Sequence, residues 1–500
     1  MDTKAFIIAA IICCFYLLGY SQNRNSVWCF GDSAGIDYSV LTAPVSFATG
    51  LDTRGSCASI SDSFGNLLFY AETRAAQPTF RTTLVFNANH QIMLSGDSIM
   101  GGGWYHELII LPDPGNINLY YLFSIGGIGT NVDKGLFYSV IDMTLDGGLG
   151  AVITKNIQLQ NFNMVDCLSA VKHGNGRDWW LIFRKSDFLT GGGNSEWYQY
   201  LISPSGITNF SQQTIGSINR TSGGQIDFSP SGNKLAFACL TGVIEVFDFD
   251  RCTGQLSSPV TIEQDPFAPP YPMYWGVSFS NDISKLYVTS YDYTGYLFQY
   301  DLNNPNISST KDTLWAGSIP INVGKLKRMD DGKIYLSCAW DDTQAGYYPY
   351  PDSIRNYINE NLSVINLPDS LGVSCSFQPF SFYLGGKRTY IGLPNNPDYE
   401  LGPLSGSICD TLTAISELPI KQYLVNIYPN PVFNYTTVTG TEKINSISIF
   451  DISGQTINEI ELATQQFYSY SLNLEKYPPG IYFVTIKSDS FVETKKVVKL

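Results

Sequence analysis

Apolar and polar positions alternate along most of the chain in short runs, and no long stretch repeats at the 3.6-residue period of an amphipathic helix. Each run is rich in Val, Ile, Tyr and Phe and is bounded by Gly, Asn, Asp, Ser or Pro, which is the pattern of strands joined by tight turns. Ala170-Val-Lys-His-Gly-Asn-Gly-Arg-Asp-Trp-Trp-Leu-Ile-Phe183 predicts a hairpin, because Gly and Asn accept the positive φ that its turn demands. A longer period overlies the alternation. Gly224-Gln-Ile-Asp-Phe-Ser-Pro-Ser-Gly-Asn-Lys-Leu-Ala-Phe237 runs into Gly242-Val-Ile-Glu-Val-Phe-Asp-Phe249, and about fifty residues on Gly276-Val-Ser-Phe-Ser-Asn-Asp-Ile-Ser-Lys-Leu-Tyr-Val288 runs into Gly295-Tyr-Leu-Phe-Gln-Tyr-Asp301. A shorter third copy spans Gly324 to Leu336. A repeat of about four strands at this spacing predicts the blades of a β-propeller, which must stack on one another to bury both sheet faces.

The pattern breaks twice. Before Gln22, an apolar run from Ala5 to Leu18 follows Lys4 and ends at Gly19-Tyr-Ser21, as in a cleavable secretory signal with the cut between Ser21 and Gln22. From Asn396 to Lys421 it gives way to Pro, Gly, Ser and Thr, which predicts a linker over 396–422. The expected organisation is a signal over 1–21, a propeller of seven blades over 22–395, the linker, and a small Ig-like β-sandwich over 423–500; the whole is all-β. No later segment is apolar enough to span a bilayer as a helix.

Charge narrows the function. The formal net charge is -14, of which the part before Ile415 carries 23 basic and 36 acidic residues. A basic footprint for nucleic acid is missing, so nucleic-acid binding is excluded. Eight cysteines lie outside the apolar leader, at 29, 57, 167, 239, 252, 338, 375 and 409. In an exported chain they permit disulfides, but the spacing selects no pairing, and buried free thiols are an equal alternative.

Candidate chemistry is sparse. His90, His106 and His173 lack the spacing of a helical metal pair and are expected at the surface or in turns, although His106-Glu107 could border a pocket. Asp248, Asp250, Asp330-Asp331 and Asp341-Asp342 read as turn residues satisfying backbone donors. Calcium at loop ends is the alternative, without an ordered Asp-x-Asp-x-Asp-Gly loop to hold it, and no other cofactor is expected. No Gly-x-Ser-x-Gly elbow or Ser/His/Asp set is visible, and Gly101-Gly-Gly103 and Gly191-Gly-Gly193 lack the Lys and helix of a phosphate loop. The aromatic stretches Phe267–Trp275 and Trp340–Tyr350 either pack blades or stack on a glycan or protein ligand.

The tail reads Tyr423-Leu-Val-Asn-Ile-Tyr-Pro-Asn-Pro-Val432, Ile447-Ser-Ile-Phe-Asp-Ile-Ser-Gly454, Pro479-Gly-Ile-Tyr-Phe-Val-Thr-Ile486 and Lys495-Lys-Val-Val-Lys-Leu500. This ordered set resembles the type A C-terminal sorting domain of type IX secretion cargo. Its motif residues here are Tyr428, Pro429, Asn430, Pro431, Gly454, Gly480, Tyr482, Lys495, Lys496 and Lys499. Gly55-Ser-Cys-Ala-Ser-Ile-Ser-Asp62, Asn66-Leu-Leu-Phe-Tyr70, Asp250-Arg-Cys-Thr-Gly254 and Ile391-Gly-Leu-Pro-Asn395 are similar to motifs of the WD-repeat-like propellers of such cargo. The resemblance implies partners in the type IX machinery and its sorting peptidase, and a mature protein released or held at the outer cell surface. It favours a binding module, with a calcium-dependent propeller hydrolase or lactonase, or a structural adhesin, as alternatives.

Overall fold

The computed structural model describes residues 23–74, 83–102, 104–264, 266, 272–290, 295–318, 321–340, 351–410, 425–440, 443–462, 468–488 and 492–500. The chain divides between Thr411 and Leu412 into two compact units.

The local rule is clearest at Gly224–Phe228 and Lys234–Cys239, which pair in register from Gly224 opposite Cys239 to Phe228 opposite Leu235. Their turn works because Gly232 takes φ +68° and the Ser229 hydroxyl accepts the Lys234 N–H at 3.1 Å. The same meander builds, among the described residues, seven antiparallel sheets in the first unit. Blades 3 to 7 have four strands each, spanning Leu108–Gln160, Ser169–Asn219, Gly224–Glu263, Tyr274–Ala316 and Ile321–Tyr383. Blade 1 (Val27–Asp52) and blade 2 (Cys57–Asn87) have three. Bridges of Thr83 to Ile99 and Phe86 to Ile92 add an outer edge to blade 2.

The core lies between blades. One apolar cluster joins blades 2, 3 and 4 around Phe69, Leu122, Phe123 and Phe183; others join blade 4 to 5, blade 5 to 6 and blade 6 to 7. A further cluster sets Trp28 and Tyr38 of blade 1 against Tyr335 and Leu362 of blade 7, so the ring closes. Trp28, Tyr38 and Tyr335 meet edge-to-face with centroids 5.0–5.7 Å apart, the favoured geometry for aromatic quadrupoles.

The end of the same unit closes onto blade 1. Arg388 bridges antiparallel to Asp32, and the chain then runs down the propeller axis. Its Ile391 carbonyl accepts Lys325 N–H of blade 7 at 2.8 Å, and Asn395 N–H donates to Cys57 O of blade 2 at 2.8 Å. This latch, residues 388–396, lies too close to its neighbours for side chains at one point: a Cβ on Gly392 would fall 2.1 Å from Gly55 O.

Residues 396–410, expected as linker, are built into the propeller. Ser59 N–H donates to Asn396 Oδ1 at 3.0 Å, the buried Tyr399 hydroxyl donates to Ile110 O at 2.9 Å, and Arg251 donates to Gly402 O at 2.6 Å. A disulfide between Cys252 of blade 5 and Cys409 fixes the end of this stretch, while Cys29, Cys57, Cys167, Cys239, Cys338 and Cys375 are buried thiols. Side-chain bonds to neighbouring backbone, not strand propensity, order a segment whose composition reads as loop.

The second unit is a sandwich. Val425–Tyr428, Tyr435–Gly440 and Ser469–Asn473 form one sheet; Thr456–Glu461, Ser446–Phe450, Gly480–Lys487 and Val492–Lys499 form the other. Val438, Ile447, Ile449, Leu472, Val484 and Ile486 fill the space between them. No helix among the described residues is long and apolar enough to cross a membrane.

Candidate functional site

Two places gather functional groups, the propeller axis and one end of the sandwich. On the axis, Asn395 holds four blades at once. Its amide nitrogen donates to Leu108 O of blade 3 at 2.9 Å and to Leu168 O at the entrance of blade 4 at 2.8 Å, and its Oδ1 accepts from Lys325 Nζ of blade 7 at 3.0 Å. The backbone bond to Cys57 adds blade 2. Two residues on, Lys327 Nζ donates to Asn396 O at 2.9 Å. Lys325 and Lys327 alternate on an inner strand and so share its axial face.

Burial governs their charge. Lys325 is 3% exposed, and burial together with the nearby Lys327 charge pushes its ammonium down to about 7. Burial likewise pushes Lys327 down to about 8. Above them, Asp166 accepts backbone N–H bonds from Tyr105 at 2.9 Å and His106 at 2.7 Å; burial and the Glu107 charge hold it well above the usual carboxylate range. Asp227 is raised by burial despite Arg328 beside it.

The axis thus carries carboxylates, as the hydrolase reading requires, but interleaved with two lysines whose ammonium groups oppose a divalent cation. Among the described residues no group of three or more Asp, Glu, His or Cys is placed to hold a metal ion. The cavity left between blades 4, 5 and 7 and the latch, lined by Gln225, Asp227, Lys325, Lys327 and Asn396, holds about 100 Å³. Ligand pockets usually span roughly 300–1,000 Å³, so this space suits waters.

The histidines part company. His173 sits in its expected turn, Nε2 3.0 Å from Cys252 O. His106, expected at the surface or in a turn, is instead 1% exposed at the axis, with Nδ1 2.9 Å from Gly224 O; burial and Lys325 hold it well below the ordinary imidazole range. His90 lies in a cleft between blades 1 and 2. Asp250 accepts from Cys252 N–H and Thr253 Oγ1, Asp331 accepts from Lys333 N–H and Tyr335 Oη, and half-buried Asp248 pairs with Lys234 at 2.7 Å. Asp341, Asp342 and most of both aromatic stretches lie outside the described residues, as do Ser21 and Gln22.

On the sandwich, most of the tail motif comes together. Asn430 Nδ2 donates to Lys496 O at 2.8 Å, and its Oδ1 accepts Val498 N–H at 2.9 Å, so this side chain extends the last strand as a partner strand would. Val432 continues the pairing through Val498 O and Leu500 N–H. Gly480 pairs with Lys499 and Tyr482 with Val497 across the same strand. Tyr482 is buried, its hydroxyl donating to Pro478 O at 2.7 Å, while Tyr428 is 77% exposed. Of the three lysines, Lys496 is exposed, Lys495 pairs with Glu493 at 2.6 Å, and Lys499 is buried with Nζ donating to Leu500 O. Gly454 stands in a separate turn at φ +82°, where Asp451 accepts the Ser453 and Gln455 N–H groups.

Sequence patterning missed Asn395 and the axial lysines. Their signal was Lys325-x-Lys327 on an inner strand, where alternation turns both charges to one face.

Together these features define a seven-bladed propeller joined to a two-sheet appendage with an Asn-stapled C-terminal strand. Residues 426–500 match the family described as the secretion system C-terminal sorting domain. The chain is a type IX secretion cargo in which a β-propeller precedes that domain, and the domain indicates export to the cell surface. No curated protein matches the chain. Among solved structures it is similar to the periplasmic gluconolactonase PpgL of Pseudomonas aeruginosa (12% identity, 83% of this chain and 99% of that one, TM-score 0.37). It is also similar to Hsv2 of Kluyveromyces lactis (12%, 69% and 90%, TM-score 0.40) and to a quinonprotein alcohol dehydrogenase-like protein of Bacteroides thetaiotaomicron (11%, 75% and 76%, TM-score 0.37). Likeness of this degree assigns neither ligand nor activity.

Proposed function

We propose that the propeller is a binding module displayed at the outer cell surface or released from it, with a glycan or protein as ligand and the sandwich as its address. One observation carries this over the hydrolase alternative. The axis, where a propeller enzyme would set its metal and substrate, is occupied by the chain's own latch, held by Lys325 and Asn395. The reading invokes no cofactor.

A leader ending at Ser21 takes the chain across the inner membrane. The machinery then reads Tyr428 to Pro431, Gly454, the Gly480-Ile-Tyr482 strand and the basic terminal strand at Lys495, Lys496 and Lys499, and the sorting peptidase removes the tail. A cut after Asp410 spares the latch and the Cys252–Cys409 disulfide, so the released propeller keeps its closure.

Two measurements test the reading. Deleting 423–500 should leave the protein in the periplasm, and secretion of the truncated form at normal levels would sink the sorting role. The full secreted protein should bind intact cells or extracellular polymer saturably. Calcium-dependent lactone hydrolysis without such binding would favour the enzyme instead.

A further inference from the structure

A second cleft opens away from the axis, between blades 1 and 2, where both sheets have three strands. Its volume is about 400 Å³, within the range of small-molecule sites. Phe47, Phe64, Val27 and Leu67 supply apolar wall, and Asp37, Ser39, Asn66 and His90 supply polar groups. Phe64 is 66% exposed at the tip of its turn.

These groups are held in place by bonds outside the cleft. Asp62 accepts the Phe64 N–H at 2.8 Å and the Asn66 N–H at 2.9 Å, and Gly65 between them takes φ +90°, so the turn presents both side chains from a fixed frame. Asn87 does the same for the loop carrying His90, accepting Asn89 and Gln91 N–H groups at 3.0 and 3.2 Å. His90 itself takes φ +62°, a conformation that costs a non-glycine residue energy and that its surroundings must enforce. Its ring lies 5.7 Å from that of Phe47, tilted by 32°.

The hydrogen-bond chain behind His90 fixes its proton. Tyr70 Oη accepts Gly50 N–H at 3.0 Å and lies 3.0 Å from His90 Nδ1. With Gly50 N–H donating to Oη, we assign the phenol proton to Nδ1, which leaves the imidazole protonated on Nε2. The ring therefore contributes a donor to the wall. Asp37, which accepts Ser39 N–H at 2.8 Å through Oδ1, contributes its second oxygen as an acceptor, Ser39 a hydroxyl that does either, and Asn66 an amide oriented by its Nδ2 bond to Asp62 at 2.9 Å.

Apolar rings beside fixed donors and acceptors match one chemistry. A pyranose has a face of C–H groups that packs on an aromatic ring and an edge of hydroxyls that need both donors and acceptors. No Lys or Arg stands among the described lining residues, and the Asp37 carboxylate would repel a uronic acid. We propose that this cleft binds an uncharged pyranose unit of a polysaccharide, stacked on Phe64 or Phe47 and hydrogen-bonded by Asp37, Ser39, Asn66 and His90. This rests on the binding-module reading above and names its ligand class.

Native affinity electrophoresis of the full secreted chain tests it, with soluble dextran, laminarin or xyloglucan in the gel and alginate as the acidic control. Retardation is expected in at least one neutral polymer and not in alginate. Phe64→Ala, at an exposed position that leaves folding intact, and Asp37→Asn should each weaken it about tenfold or more. Asp330→Ala, at the axial cavity, should leave it unchanged. The assignment is overturned by no retardation in any neutral polymer, by equal retardation in alginate, or by affinity unaltered in both cleft variants. Saturable binding to cells without polysaccharide retardation overturns the cleft and spares the binding module; loss of both readouts removes both.

Discussion

Lys325 Nζ and Asn395 Oδ1 stand 3.0 Å apart on the propeller axis although seventy positions separate them in the chain. That amide also satisfies carbonyls of Leu108 and Leu168. Asn395→Ala strands the lysine and both carbonyls in a buried site, where each unpaired polar group costs about 1–3 kcal/mol. We expect a loss of roughly 3–5 kcal/mol in urea denaturation of the full chain, with secondary structure otherwise retained.

The same lysine makes stability depend on pH. Unfolded, a lysine titrates near 10.4. Folded, Lys325 titrates at about 7 because it is buried. Between these values the unfolded chain binds a proton that the folded chain does not, so stability rises with pH, by up to about 1.4 kcal/mol per unit, and this contribution is lost as pH falls through about 7. Urea midpoints of wild type and Lys325→Met, compared across this window, should converge or cross in wild type's favour as pH rises. A constant difference would show that Lys325 does not titrate there.

Gly392 should tolerate nothing larger. A Cβ there meets Gly55 backbone atoms at 2.1 and 2.2 Å, which no side-chain adjustment relieves. Gly392→Ala should forbid seating of the latch and yield little soluble, protease-resistant protein. Gly402→Ala, where a Cβ meets nothing within 4 Å, is the matched control.

The Cys252–Cys409 disulfide closes a loop of 157 positions, a large constraint on the unfolded chain. Cys409→Ser should cost roughly 2–5 kcal/mol. Reductant should lower the melting temperature of wild type and leave that of the variant in place. The other six described thiols are buried and contribute no second reducible pair.

Asn430→Ala should release the terminal strand of the sandwich. It removes the acceptor of Val498 N–H and the donor to Lys496 O, worth about 1–3 kcal/mol together. Secretion should fall along with thermal stability of the tail. Asn430→Asp separates the two: it keeps the acceptor while losing the donor, so intermediate stability with full loss of secretion would mark direct reading of the amide.

Much of the architecture was legible in the sequence, for identifiable reasons. The blades of the middle region announce themselves because each hairpin's turn chemistry, such as Ser229 to Asn233 with Gly232 at positive φ, coincides with strand alternation on both sides. The motif around Asn430 was visible through its resemblance to a sorting domain, although its partners Lys496 and Val498 lie far along the chain. The latch was not. Ile391 to Asn395 stand out only through their resemblance to propeller motifs and Pro397 looks like linker, while their extended path is imposed by Cys57, Lys325 and Ser59, partners far away in sequence. The cleft of Phe47, Phe64 and His90 was equally hidden, since one strand and two separate turns meet there only after blades 1 and 2 stack.

The latch gives assembly an order. Arg388 must reach Asp32, 356 positions earlier, before the latch is seated on the first blade. A chain that emerges N-terminus first therefore carries an open ring until nearly all of the propeller is out. The residues that shut it are followed almost at once by the sorting domain, so the parcel is sealed just before its label comes into view.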